Sequence, residues 1–203
     1  MTADVVELLE AASLLVPAEL ATGNDLTVDD VWEHLAHDEW EVALGVLEGL
    51  GDIRRPALDA GFWEALAAAA EQLHLERSAA WCHWRCSEAR HGVIRADLTL
   101  APASESRRQT AFSGAGVLRP MWDIGHRSPT GVPALDIAWL WVESTPFLGP
   151  GERSSVRLAP LDPAQWRHLE PGQVITMHEG RDAGGTAVVL ELRPPVPPPG
   201  TSA

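Results

Sequence analysis

Apolar residues over roughly the first ninety positions recur with a helical period, and the period drops to two after Gly92. Val5, Leu8, Leu9, Ala12 and Leu15 form a 3.6-residue stripe that Pro17 ends. Val28, Val31, Trp32 and Leu35 form a second stripe, with Thr27 before it and Asp30 three residues on, the pattern of a capping box. Asp38 is placed to cap a third helix with the face Trp40, Ala43, Leu44, Leu47 and Leu50, and Gly51 is placed to stop it. Asp59 caps a longer segment carrying Phe62, Trp63, Leu66, Ala69, Ala70 and Leu73. A last, turn-rich helix holds Trp81, Trp84 and Ala89. Four or five short helices with one apolar face each predict a small orthogonal bundle, with Trp32, Trp40 and Trp63 in its core.

From Val93 to Leu100 apolar and polar residues alternate after the first pair, as in a strand with one buried face. Val117–Ile124, Asp136–Val142, Ser154–Leu158, Gln173–His178 and Gly185–Leu192 are further strand candidates, separated by Pro and Gly clusters. Six strands over about a hundred residues predict a closed antiparallel barrel. The fold class is therefore α+β in two domains: an acidic α-helical domain over 1–91, then a six-stranded antiparallel β-barrel over 92–193. The Pro-rich tail 194–203 has nothing to bury and is expected to be disordered.

Charge divides the chain at the same place. Residues 1–90 carry 18 acidic side chains and 5 arginines, net −13, whereas residues 91–203 carry 11 and 10, net −1. An acidic first module repels phosphate backbones and attracts basic proteins. All 15 basic residues are arginine. A Walker A loop needs a lysine on the β/γ-phosphates, so a P-loop nucleotidase is excluded. No signal peptide and no membrane span are read in the chain, and Cys82 and Cys86, one helical turn apart, suit no disulfide with each other. A cytoplasmic protein with reduced thiols is expected.

Catalytic and metal chemistry find little support. Cys82-His83-x-x-Cys86, with His34 or His74 nearby at most, lacks the paired short spacings of a structural zinc site. His34, His37, Asp38 and Glu39 straddle a helix junction, where acids serve as caps. Trp139 and Trp141 share one strand face, which suits barrel core or a domain interface better than a base-stacking platform. No catalytic residue, metal or cofactor is assigned.

Several motifs in the second half resemble the third, C-terminal domain of elongation factor Tu, in the same order. Arg107-Arg108-Gln109-Thr110-Ala111-Phe112 resembles Gly-Gly-Arg-His-Thr-Pro-Phe, and Leu118-Arg119-Pro120-Met121-Trp122 resembles Tyr-Arg-Pro-Gln-Phe. Leu148-Gly149-Pro150-Gly151-Glu152 resembles Met-Pro-Gly-Asp before a strand. The run from His178 to Val189 resembles the last hairpin, Arg-Glu-Gly-Gly-Arg-Thr-Val-Gly-Ala-Gly-Val-Val, and is expected to place Gly180–Gly184 at its tip. The resemblance covers about residues 93–192 and implies the barrel fold. In that family the barrel helps to hold the T-stem side of aminoacyl-tRNA and packs on a GTPase domain, for which this chain leaves no room. The implied RNA or partner contacts are Arg95, Arg107, Arg108, Thr110, Arg119, His178 and Arg181. Ser106-Arg107 replaces the loop glycines, and Asp182 stands where the family has arginine, so tRNA binding is disfavoured.

The helix from His37 to Leu47 resembles, more loosely, the acidic Trp/Tyr-x-x-Ala-Leu-x-x-Leu helix of small immunity proteins that neutralise bacterial toxins. The leading reading is a non-catalytic, protein-binding adaptor or inhibitor with a translation-factor-like barrel. Its basic protein partner would meet Asp38, Glu39, Glu41 and Glu48, which can face out if Trp40 faces the core. An immunity protein is the alternative, and an RNA-binding protein linked to translation the second; DNA and membranes are not expected partners. A lysine-free chain should give a flat calorimetric titration with Mg-GTP, and a saturable micromolar isotherm would contradict this reading.

Overall fold

The computed structural model describes residues 3–53, 57–180 and 182–196. Among these, five helices come first: α1 (Val5–Ser13), α2 (Val28–Ala36), α3 (Trp40–Gly51), α4 (Ala60–Gln72) and α5 (Glu76–His91). Nine strands follow: β1 (Val93–Leu100), β2 (Phe112–Ser113), β3 (Ala115–Leu118), β4 (Met121–Arg127), β5 (Pro133–Val142), β6 (Phe147–Leu148), β7 (Arg153–Pro160), β8 (Val174–Glu179) and β9 (Asp182–Arg193). A 3-10 turn, Pro163–Trp166, lies between β7 and β8. The chain forms two compact units: the helices up to Arg90 together with Val196, and His91–Pro195.

Local chemistry sets the helix starts. The Asp4 carboxylate accepts the Glu7 N–H at 2.9 Å while Glu7 accepts the Asp4 N–H at 3.2 Å, a reciprocal box at the head of α1. Asp30 accepts both the N–H and the hydroxyl of Thr27, at 2.7 and 3.0 Å, and Asp59 accepts the Phe62 N–H at 3.1 Å. Leu9, Ala12, Val31, Leu44, Leu47, Leu50, Phe62, Trp63 and Leu66 are buried together in the core these helices enclose.

The helical unit departs from the sequence reading in five places. The α1 stripe ends at Ala12, because the helix stops at Ser13 and leaves Leu14 and Leu15 exposed. Asp38 does not cap α3. It sits at φ +58°, a left-handed turn that a short polar side chain tolerates, and Glu39 precedes the helix instead. Gly51 is the last residue of α3 without a left-handed φ; a Cβ there would meet Phe62 and Trp63 at 2.6 Å, so packing requires the glycine. The segment holding Trp81, Trp84 and Ala89 is not turn-rich. It is the 16-residue α5, along which Trp84 Nε1 and Arg85 Nε both reach Glu88. Trp32 and Trp40 are half-buried against the core, and only Trp63 of the three lies fully inside it.

The sheet closes through the order β4-β8-β9-β1-β7-β5 and back to β4, all antiparallel. β3 pairs with β5 beyond the end of β4, so β3 and β4 act as one strand interrupted at Arg119-Pro120, and the barrel is six-stranded. Period-two alternation sends Ala96, Leu98, Leu100, Trp122, Ile124, Ala138, Leu140, Val142, Val156, Leu158, Ile175, Met177, Ala187 and Val189 inward. Trp166, from the 3-10 turn, joins this core edge-to-face on Trp122, with ring centroids 6.5 Å apart. His168 fastens the same turn through contacts of 2.9 Å to Gln165 O and 2.8 Å to Ile124 O.

The last hairpin is tighter than its glycines suggest. Its ladder runs out to Glu179↔Asp182, so Asp182–Gly185 lie in β9 and not in a wide tip. Gly184 and Gly185 serve close approach: a Cβ on Gly185 would stand 2.7 Å from Thr99 O on β1. In the segment read as a Pro-rich tail, the Val196 N–H donates to Ala89 O at 2.8 Å and its side chain packs on the helical core; residues 197–203 lie outside the described residues. No helix among the described residues is long and apolar enough to cross a membrane.

Gly51→Ala should lower stability by about 1–2 kcal/mol. Overpacking against two rigid rings costs about 1–3 kcal/mol, more than the up to ~1 kcal/mol that alanine gains in a helix. Urea denaturation measures the balance, and an unchanged or raised midpoint would refute it.

A cationic groove on the barrel and an acidic helix face

The β4–β8 ladder ends at Met121↔His178. One residue further Pro120 has no N–H to donate and a fixed φ, so pairing cannot continue. β8 runs on to Glu179 with β9 as its partner, and the two strands part. An open groove of about 710 Å³ lies there, walled by Leu118, Arg119, Pro120 and Met121 on one side and His178, Glu179 and Gly180 on the other. The β1–β2 loop closes it with Arg107, Arg108, Gln109 and Thr110.

That loop is folded by its own polar groups. Gln109 Nε2 donates to Ala103 O at 2.9 Å and to Ser106 O at 3.2 Å, and Ser106 Oγ donates to Arg108 O at 3.1 Å. The arginines around the groove differ. Arg108 Nε donates to Glu179 at 2.5 Å and its guanidinium lies 4.8 Å from the Phe112 ring centroid, so its charge is fixed and compensated. Arg119 lies 3.6 Å over the Trp139 ring, a cation–π contact that orients the guanidinium without neutralising it. Arg107 is exposed and reaches across Gly180. Neither Arg107 nor Arg119 makes an ion pair among the described residues. His178 is half-buried, and its Nδ1 has no hydrogen-bond partner among the described residues.

The fold thus brings Arg107, Arg108, Thr110, Arg119 and His178 together, although they are far apart in sequence. Arg95 is elsewhere. It pairs with Glu143 at 2.7 Å and Glu191 at 3.6 Å on the outer barrel wall, where Arg157 also holds Glu143 at 2.9 Å. Burial pushes the Glu143 carboxyl up, but the Arg95 hydrogen bonds and the two guanidinium charges prevail and hold it below its usual range. Arg181 lies outside the described residues. Sequence reasoning missed three parts of the groove: Glu179, the apolar wall of Leu118, Pro120 and Met121, and Trp139 as the platform for Arg119. The alternation of β5 carried a signal for Trp139. Ala138, Leu140 and Val142 point inward, so Trp139 and Trp141 belong to the other face and not to the barrel core.

Asp38, Glu39 and Glu41 are exposed around the α2–α3 junction, and Val42 beside them is 48% exposed. The Glu39 carboxylate meets His34 Nδ1 at 2.6 Å. Glu48 does not share this face. It is half-buried against α5, where Cys82 Sγ donates to it at 3.5 Å, and burial raises its carboxyl above the ordinary value of 4.5. The cause is position: Glu48 lies one helical turn after Leu44, on the side of α3 that meets α5. Burial, and then the Glu48 charge, push the Cys82 thiol far up, and burial raises Cys86 as well, so both remain protonated thiols at neutral pH.

No family model matches this chain, and no curated protein matches it.

The Glu48 shift carries a sign. A carboxyl raised by folding contributes stability that is present below its unfolded pKa and lost as pH rises through its folded pKa. Glu48→Gln should therefore leave stability near pH 4 almost unchanged and raise it at pH 7. Denaturant midpoints across that range test this, and a loss at pH 7 would contradict it.

Proposed function

We propose that this chain is a non-catalytic binding protein, an adaptor or inhibitor, and that the barrel groove is its recognition site for an anionic partner. One observation supports this above others: five residues marked by sequence as ligand contacts, Arg107, Arg108, Thr110, Arg119 and His178, line the same groove. Among the described residues two of its guanidinium groups have no carboxylate partner, one of them held on an indole face. The pre-positioned charge of Arg119 loses little freedom on binding, which is how a small site gains affinity.

In this reading the barrel is a form of the third domain of elongation factor Tu, employed for binding behind a helical unit. The groove motifs are those that hold an RNA stem in that family, and this favours RNA as a second reading. The acidic helix face supplies another surface. Asp38, Glu39 and Glu41, in a unit of net −13, suit a basic protein, the arrangement an immunity-type inhibitor would use.

Affinity capture with the full chain tests both surfaces. Arg107→Ala with Arg119→Ala should weaken the groove's hold on its partner by about a hundredfold, about tenfold for each charge-assisted contact. Glu39→Arg with Glu41→Arg should weaken capture of a basic partner and flatten its salt dependence. Capture indifferent to both pairs of substitutions would overturn the proposal.

A further inference from the structure

The groove's chemistry narrows the class of anion. We infer that it takes a short acidic peptide segment, which sets carboxylates against Arg107 and Arg119 and lays an apolar side chain on Leu118, Pro120 and Met121. The inference rests on the reading of the groove as a recognition site and names what enters it.

Three features separate a peptide from a phosphate backbone. The first is charge. Glu179 sits inside the groove and occupies Arg108, so two free guanidinium groups remain among the described residues. Phosphate-backbone binding draws on counterion release summed over many contacts, and two contacts give little of it. The surrounding half of the chain is nearly neutral at net −1, and exposed Asp182 follows the hairpin turn at the groove's edge. Two cations in a nearly neutral field, one of them held on Trp139, suit two carboxylates, to which an arginine fork binds with direction.

The second feature is the wall. Leu118, Pro120 and Met121 are buried or half-buried around an open space. An apolar wall contributes nothing to a phosphodiester chain but removes a leucine or phenylalanine side chain from water, worth about 25 cal/mol per Å² buried. The third is hydrogen-bond polarity. Glu179, Gln109 and Thr110 offer acceptor oxygens at the groove. Peptide N–H groups are donors that can meet them, whereas phosphate oxygens only accept. The volume of about 710 Å³ falls within the roughly 300–1,000 Å³ of sites that enclose compact ligands.

Fluorescence anisotropy with the full chain tests the assignment at ~150 mM salt, where long-range attraction is screened. The probes are a labelled Asp-Glu-Leu-Phe-Glu-Asp peptide, its amide counterpart Asn-Gln-Leu-Phe-Gln-Asn, and a labelled RNA hairpin. The acidic peptide should bind at least about tenfold more tightly than the amide peptide, and Arg107→Ala and Arg119→Ala should each cost it about tenfold. Both arginines are exposed, so these variants should melt like the parent chain. Glu179→Gln, which frees Arg108, should tighten the acidic peptide. Equal binding of the two peptides would overturn the inference. So would an RNA hairpin bound more tightly than the acidic peptide and weakened by Arg107→Ala and Arg119→Ala, although the groove would then stand as a recognition site. Binding of every probe indifferent to both substitutions would overturn inference and groove together.

Discussion

A short antiparallel sheet in water must either hide its two edges or leave them open to other chains. The β5–β7 ladder, Ala138–Val142 against Val156–Pro160, hides them by joining the ends of the sheet. The rest of the barrel depends on that closure. It encloses Trp122, Leu140, Leu158 and Met177 from all sides, and it holds the loops at the barrel's ends in fixed places. The groove lies where the closure relaxes. At Arg119-Pro120 the strand is interrupted, β4 and β8 separate, and side chains from three distant segments fill the breach. Rigid strands thus position a site that the strands themselves do not cover.

The two units solve different electrostatic problems. The helical unit carries net −13 over ninety residues and tolerates the self-repulsion by leaving most of its acids in water. Glu48 and Glu88 are exceptions: Glu88 is buried against Trp84 and Arg85, and the raised carboxyl of Glu48 records the cost of burial beside Cys82. The barrel instead pairs most of its described arginines with carboxylates. Arg95 and Arg157 share Glu143, Arg153 pairs with Asp97, Arg127 with Asp123, and Arg108 with Glu179. Among the described residues of the barrel Arg107, Arg119 and Arg167 have no carboxylate partner, and the first two stand on the same groove.

Much of the architecture was legible in the residue pattern because burial imposes periodicity. The strands from Val93 to Leu100 and from Asp136 to Val142 alternate because one face is sealed in a barrel, and alternation is visible without structure. The capping pair Thr27–Asp30 was equally visible, since its chemistry is local. What escaped notice depended on the third dimension. Gly51 reads as a helix stop, yet it is required by two aromatic rings of another helix. Glu48 reads as one of a run of surface acids until α5 is laid against it. Arg95 and Arg119 look alike in sequence, but cross-strand neighbours make one a paired strut and the other a free cation on an indole. The groove's arginines were marked by their motifs, while Glu179 went unremarked because nothing local announces that a hairpin acid will meet a loop seventy residues away.

That acid bears on what the groove can distinguish. A groove of three free arginines would hold any polyanion, and affinity would follow charge alone. With Glu179 holding Arg108, the attraction for long polyanions falls, and an acceptor is placed among the donors. In the proposed reading a ligand then matches two cations, the acceptors of Glu179, Gln109 and Thr110, and an apolar wall at once. Discrimination of this kind comes from the groups a wrong ligand leaves unpaired, since an unsatisfied buried partner costs more than a made contact returns. The Arg108–Glu179 pair also ties the β1–β2 loop to the last hairpin, so the contact that in the proposed reading narrows the choice of ligand is also the one that joins two sides of the groove.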